Sequence, residues 1–101
     1  MAYIWVRSAV MRPERVLDAM TWAKQVTAYV NTLSEHQMSA LYPFTGNQRQ
    51  ILWTCRHESL ESLEQWIVRV RDDAGYIRMV ETAQPGTFIM EMDDNILRIL
   101  D

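Results

Sequence analysis

The chain has 101 residues, 10 Lys+Arg against 13 Asp+Glu (net charge −3), and an apolar share of 49% that includes four Trp and seven Met. That length fits one domain, residues 1–101, and that apolar load excludes disorder. The acidic balance removes the basic footprint expected of a nucleic-acid binder and weakens any attraction to anionic membrane. With Cys55 as its one cysteine, the chain has no internal disulfide.

Residues 3–11 (Tyr-Ile-Trp-Val-Arg-Ser-Ala-Val-Met) are rich in β-branched and aromatic types and read as a strand. Pro13 ends it and suits the first turn of a helix, with Glu14 favourable to the helix dipole. Val16, Met20, Ala23, Thr27 and Val30 then recur at helical spacing, flanked by Leu17 and Leu33. This predicts a long amphipathic helix ending near Leu33, with Trp22 half exposed at the edge of its buried stripe. A second strand is expected over 38–44, limited by Pro43. Gly46 marks a turn, and a third strand runs over 51–57.

Ser59 is placed to cap a second helix, with Leu60, Leu63, Trp66, Ile67 and Val70 as its buried stripe. The run 72–75 breaks it, and Gly75 reads as its C-terminal cap. Residues 76–82 form a shorter helical piece that Pro85-Gly86 stops. A fourth strand over 87–92, a turn at Asp93-Asp94-Asn95 and a short apolar tail over 96–100, able to extend, complete the chain.

This order predicts an α+β, ferredoxin-like β-α-β-β-α-β fold, with two helices on one face of a four-stranded antiparallel sheet. Alternation sorts strand 1 into two sets: Ile4, Val6, Ser8 and Val10 on one face, Tyr3, Trp5, Arg7, Ala9 and Met11 on the other. Both sets carry large apolar side chains, and two helices cover only one face. A homodimer that buries the second face is the simplest solution, since a two-fold pair is the commonest oligomer. No apolar run approaches the length of a membrane span, and the N-terminus lacks the basic and apolar regions of a signal peptide, so the expected location is cytoplasmic.

No catalytic motif stands out, so candidates are single residues. His57, at the end of strand 3, is a candidate acid or base near neutral pH; its plain alternative is a strand-end residue near the surface. His36 lies in a polar loop, and neither histidine has a carboxylate or cysteine at ligand spacing, so no metal site is expected. Cys55 reads as inert packing. Arg7 interrupts an apolar strand face and needs either a carboxylate, with Glu91 the candidate, or a ligand anion. Trp5, Trp53, Trp66, Tyr42 and Tyr76 are candidates for an aromatic pocket, their alternative being plain core. The methionines at 11, 20, 38, 79, 90 and 92 read as adaptable core filling.

The segment 59–67 (Ser-Leu-Glu-Ser-Leu-Glu-Gln-Trp-Ile), followed by Asp72-Asp73-Ala74-Gly75-Tyr76 and by the tail Ile96-Leu-Arg-Ile-Leu100, resembles the dimeric α/β-barrel superfamily, which includes antibiotic-biosynthesis-monooxygenase-like and NIPSNAP-like domains. The resemblance implies two protomers packed sheet against sheet into a barrel. Haem-degrading members use a tryptophan on this helix, a histidine one short helix later and an asparagine on strand 1. Trp66 matches the first, Tyr76 stands where the histidine would fall, and strand 1 has no asparagine, so haem degradation and other cofactor use are not expected. Three functions follow as expectations: a homodimeric barrel holding a small apolar or aromatic ligand through Trp5, Arg7, Trp53, Trp66 and Tyr76; a cofactor-independent monooxygenase or isomerase acting on an aromatic or polyketide-like substrate, with His57, Tyr76 and Arg7 as its candidate catalytic groups; or a protein-interaction module.

Overall fold

The computed structural model describes residues 1–83 and 87–101; the expected stop at Pro85-Gly86 lies outside them. Strand β1 (Tyr3–Met11) is followed by a 3-10 turn (Pro13–Arg15), helix α1 (Val16–Val30), β2 (Ser39–Leu41), β3 (Gln50–His57), helices α2 (Leu60–Arg71) and α3 (Ala74–Ala83), and β4 (Ile89–Arg98). The strands form one antiparallel sheet in the order β2-β3-β1-β4. That is the expected ferredoxin-like arrangement, with a third helix inserted before the last strand.

β1 lies between β3 and β4 because its β-branched and aromatic residues fit a pleated, packed surface. Its register places Trp5 opposite Cys55 and Ile96, and Arg7 opposite Trp53 and Asp94. The set Trp5, Ala9 and Met11 is buried under the helices. The opposite set, Ile4, Val6, Ser8 and Val10, is only partly covered in the single chain. β2 is a three-residue exposed edge strand, shorter than expected, and Pro43 follows it as a residue that cannot donate to a ladder.

β4 differs most from the sequence reading. The predicted turn at Asp93-Asp94-Asn95 lies inside the strand, which continues to Arg98. An acidic run reads locally as a turn, but nine consecutive residues of β1 supply it with ladder partners. The chain's irregularity comes earlier, where the pairing shifts between Val10 and Met11. Such a bulge adds a residue to one strand and re-aims its side chain. Met90 is that residue and is 55% exposed, so it is not core filling.

α1 presents Ala19, Trp22, Ala23, Val26 and Val30 to the core. The buried stripe is thus rotated from the expected one: Trp22 is buried, its indole N–H donating to the Met79 carbonyl of α3 at 2.8 Å. α2 starts as predicted, with Ser59 Oγ accepting from the Ser62 N–H, and buries Leu63, Trp66 and Val70, while Leu60 is half exposed. Gly75 is not a helix end. Asp72 closes α2, and Asp73 opens α3 by accepting from the Tyr76 N–H at 3.0 Å. Gly75 sits in the first turn of α3 because Tyr29 lies against it: a Cβ there would run into the Tyr29 hydroxyl and ring. No helix among the described residues is long and apolar enough to cross a membrane.

Candidate functional site

Between the helices and the inner sheet face lies a cavity of about 250 Å³. β1 supplies Trp5 and Arg7, β3 supplies Trp53, and β4 supplies Met92 and Asp94. Trp22, Val26 and Val30 come from α1, Trp66, Ile67, Val70 and Arg71 from α2, Tyr76 from α3, and Met38 from the segment before β2. Apart from Met38, each is there because its strand or helix phase turns it inward. Trp5, Arg7, Trp53, Trp66 and Tyr76 are therefore brought together around one space. Tyr42 is not: it follows the edge strand β2 and is 40% exposed, its hydroxyl donating to the Gln48 carbonyl at 2.6 Å.

The walls are aromatic and the mouth is charged. Trp5 and Trp66 meet edge to face with centroids 5.0 Å apart, and Trp22 and Trp53 at 6.0 Å; such pairs prefer this geometry. The polar liners Arg7, Arg71, Asp94 and Tyr76 all keep contact with solvent, whereas the tryptophans are buried.

Arg7 is the organising cation. Its Nε and Nη2 donate to the two Asp94 oxygens at 2.7 and 2.9 Å, and its Nη1 donates to the Tyr76 hydroxyl. Burial works against its charge, but the Asp94 hydrogen bond and the nearby Tyr76 and Asp94 outweigh it and hold the guanidinium more firmly protonated than usual. Its centre also lies 5.2 Å from the Trp5 ring, within cation–π range. The carboxylate partner is Asp94 rather than Glu91. Glu91 stands opposite Val10, on the other face of the sheet, so it cannot reach.

This wiring leaves particular donors over. Tyr76 accepts from Arg7, so its own O–H proton is free to donate, since a phenol does both. Trp22 and Trp53 commit their indole N–H groups, the latter to Thr27 Oγ1 at 3.1 Å. Trp66 Nε1 is buried with no partner among the described residues. An uncompensated buried donor is costly, and a small molecule with an acceptor oxygen relieves that cost.

His57 is neither at the surface nor in the cavity. It is 1% exposed, its ring packed in tilted contact with His36 at 4.4 Å and with Trp66 at 5.2 Å. Burial, and then the neighbouring His36, push its pKa below the ordinary imidazole value. Cys55 is buried, and burial pushes its thiol up to about 11, the opposite of what a nucleophile needs. No cluster of three or more metal-ligating side chains occurs among the described residues. Among the liners that the sequence reading missed are Trp22, Met38, Arg71, Met92 and Asp94. Helix phase was the signal for Trp22; Asp94 gave none, because it depended on strand register.

No protein-family model matches the sequence, and no curated protein does. Solved structures do match. A NIPSNAP-like domain protein from Burkholderia xenovorans superposes with a TM-score of 0.79 at 13% identity, covering 98% of this chain and 85% of that one. A NIPSNAP family protein from Agrobacterium tumefaciens gives 0.76 at 12%, covering 100% and 95%. The chain shares the ferredoxin-like fold of these proteins. Structures from the monooxygenase side share it. One from Nitrosomonas europaea, provisionally described as an antibiotic biosynthesis monooxygenase, gives 0.74 at 9% identity over 98% of this chain and 90% of that one. A variant of SnoaB, a cofactor-independent oxygenase from Streptomyces nogalater, gives 0.72 at 4% over 99% and 94%. At these identities the likeness is one of NIPSNAP-like architecture, and a fold hosts many functions.

Proposed function

We propose that the protein is a homodimeric barrel that holds a small, neutral aromatic ligand bearing an acceptor oxygen, in the cavity beside Arg7 and Tyr76. The supporting observation is the Arg7–Asp94–Tyr76 arrangement at the rim of a tryptophan-walled space. Asp94 neutralises Arg7, and Arg71, the other cationic liner, stands 3.7 Å from Asp72 at the exposed edge, so beside Arg7 the rim presents one oriented O–H donor in place of a free cation. A carbonyl or phenolic oxygen suits that donor, with the ring on Trp5, Trp53 and Trp66. At about 250 Å³ the space is just under the roughly 300–1,000 Å³ of drug-sized pockets, which favours one or two fused rings.

The enzymatic alternative, a cofactor-independent monooxygenase or isomerase on an aromatic or polyketide-like substrate, uses the same cavity. There Tyr76, held by Arg7, would touch the substrate oxygen. Binding is the better-supported reading, because His57, the candidate acid or base, is not among the residues lining the cavity.

The homodimer rests on the partly covered outer set Ile4, Val6 and Val10, which Leu52 and Leu97 extend across the neighbouring strands. A second sheet against it would bury about 1.5–3 kcal/mol of apolar burial per large side chain.

Native mass spectrometry of the purified protein, together with quenching of tryptophan fluorescence by 1-naphthol and 1,4-naphthoquinone, tests the ligand. The expectation is saturable quenching that Tyr76→Phe weakens about tenfold, the loss of one hydrogen bond to a buried acceptor. Absence of both a co-purified molecule and saturable quenching would overturn the reading.

A further inference from the structure

Tyr29, on α1, stands outside the cavity and is not among its lining residues. Its hydroxyl donates to Asp73 Oδ2 at 2.6 Å. The same oxygen accepts the Tyr76 backbone N–H at 3.0 Å. Asp73 is also the joint between two helices. Its own N–H donates to the Val70 carbonyl of α2 at 3.1 Å, and its carbonyl accepts from the Ile77 N–H of α3 at 3.0 Å. One carboxylate oxygen thus ties α1 to the first turn of the helix that carries Tyr76.

The far end of α3 is anchored by its buried residue, Ala83. The near end, from Ala74 to Arg78, is exposed or half-buried and relies on hydrogen bonds. These are the Asp73 cap, the Tyr29 contact and the Arg7 donation to the Tyr76 hydroxyl. A tyrosine has two side-chain torsions, so its hydroxyl goes where the backbone and its partner put it. Gly75 makes the Tyr29 contact possible, because a Cβ there would run into the Tyr29 hydroxyl and ring. Glycine is a poorer helix former than alanine, so α3 carries a local cost at the place where Tyr29 passes. The Tyr29 hydrogen bond, and then the Tyr76 N–H, hold the Asp73 carboxyl below the usual carboxylate range, which keeps it an acceptor at neutral pH.

We propose that Tyr29 is a positioning residue for the cavity: through Asp73 it fixes the first turn of α3, and with it the place of the Tyr76 hydroxyl that meets the ligand oxygen. The placement of Tyr76 is a property of the free protein, while its effect on affinity rests on the ligand reading given above. Tyr29 supplies no group to the cavity, so removing its hydroxyl acts on oxygen recognition and leaves ring burial alone. Both donors share Oδ2, so one amide oxygen can replace it. Asparagine caps helices about as well as aspartate; the role therefore asks for an oxygen at Asp73 and not for its charge.

NMR on the 15N-labelled full-length chain tests this with and without ligand. In the free protein the Arg7 guanidinium nitrogen signals report its bond to Tyr76. Tyr76→Phe should move them, Tyr29→Phe should move them the same way by less, and Asp73→Asn should leave them near their wild-type positions. With ligand, titrations compare 1-naphthol with naphthalene, which lacks the oxygen. Tyr29→Phe should weaken 1-naphthol binding about threefold, less than Tyr76→Phe does, and leave naphthalene binding unchanged. Added to Tyr76→Phe it should cost nothing further, since both act through one hydroxyl. Arg7 signals that stay still in Tyr29→Phe, an equal loss for naphthalene, or additive losses in the double variant would each overturn the positioning role. A wild type that binds neither probe would remove the ligand reading instead, and the Arg7 signals would still decide the role of Tyr29.

Discussion

Arg7 and Asp94 stand directly opposite each other on adjacent strands and join through two hydrogen bonds, at 2.7 and 2.9 Å. The pair cancels the Arg7 charge at the rim of an aromatic cavity and aims the third guanidinium nitrogen at Tyr76.

Asp94→Asn keeps the shape and removes the charge. Arg7 would then be free to pair with an incoming anion, so preference should move from 1-naphthol towards 1-naphthoate. Arg7 and Asp94 side chains are 24% and 44% exposed, between a surface pair and a buried one, so the stability loss should be about 1–2 kcal/mol. Urea denaturation and competitive fluorescence titration measure the two effects. Unchanged selectivity would mean that Arg7 does not meet the ligand.

Gly75→Ala tests the α1–α3 contact. The new methyl group has to displace Tyr29, which donates to Asp73 Oδ2 at 2.6 Å, and Asp73 also caps α3. Overpacking of this kind costs about 1–3 kcal/mol. With Tyr29→Ala already in place, the same substitution should be close to neutral or stabilising, because a helical alanine outranks glycine. A double-mutant cycle by chemical denaturation gives the coupling.

Acid should weaken the fold through His57. Its folded pKa is depressed, first by burial and then by His36, so the unfolded chain binds the proton more readily. The contribution is therefore complete above the unfolded value of about 6.5 and falls away as pH drops from there towards the folded pKa. Melting temperatures between pH 8 and 5 should decline, and His57→Gln should flatten that slope. An equal slope in the variant would place the acid sensitivity elsewhere.

Val6→Glu places a charge in the middle of the outer sheet face, where Val6 lies between Thr54 and Asn95. If two copies pair through that face, light scattering should show wild-type dimer and variant monomer, since an unpaired buried charge is strongly disfavoured. A wild-type monomer would remove the dimer from the proposal.

The periodic elements were legible because each carries its own pattern. β1 is marked by its β-branched and aromatic run, α2 by Ser59 and the stripe through Leu63, Trp66 and Val70. Gly75 was misread because a glycine after Asp72-Asp73 looks locally like a helix end; the reason for it, the Tyr29 ring, lies 46 residues away on α1. Asp94 was misread for the same kind of reason.

Alone, the sequence determined the order of strands and helices and the greasiness of both faces of β1, since alternation and helical period are properties of neighbouring residues. Tertiary structure decided which β1 face the helices cover, that Arg7 meets Asp94, and that His57 is buried against His36. Those depend on register and crossing geometry, which bring together residues with no local relation to one another.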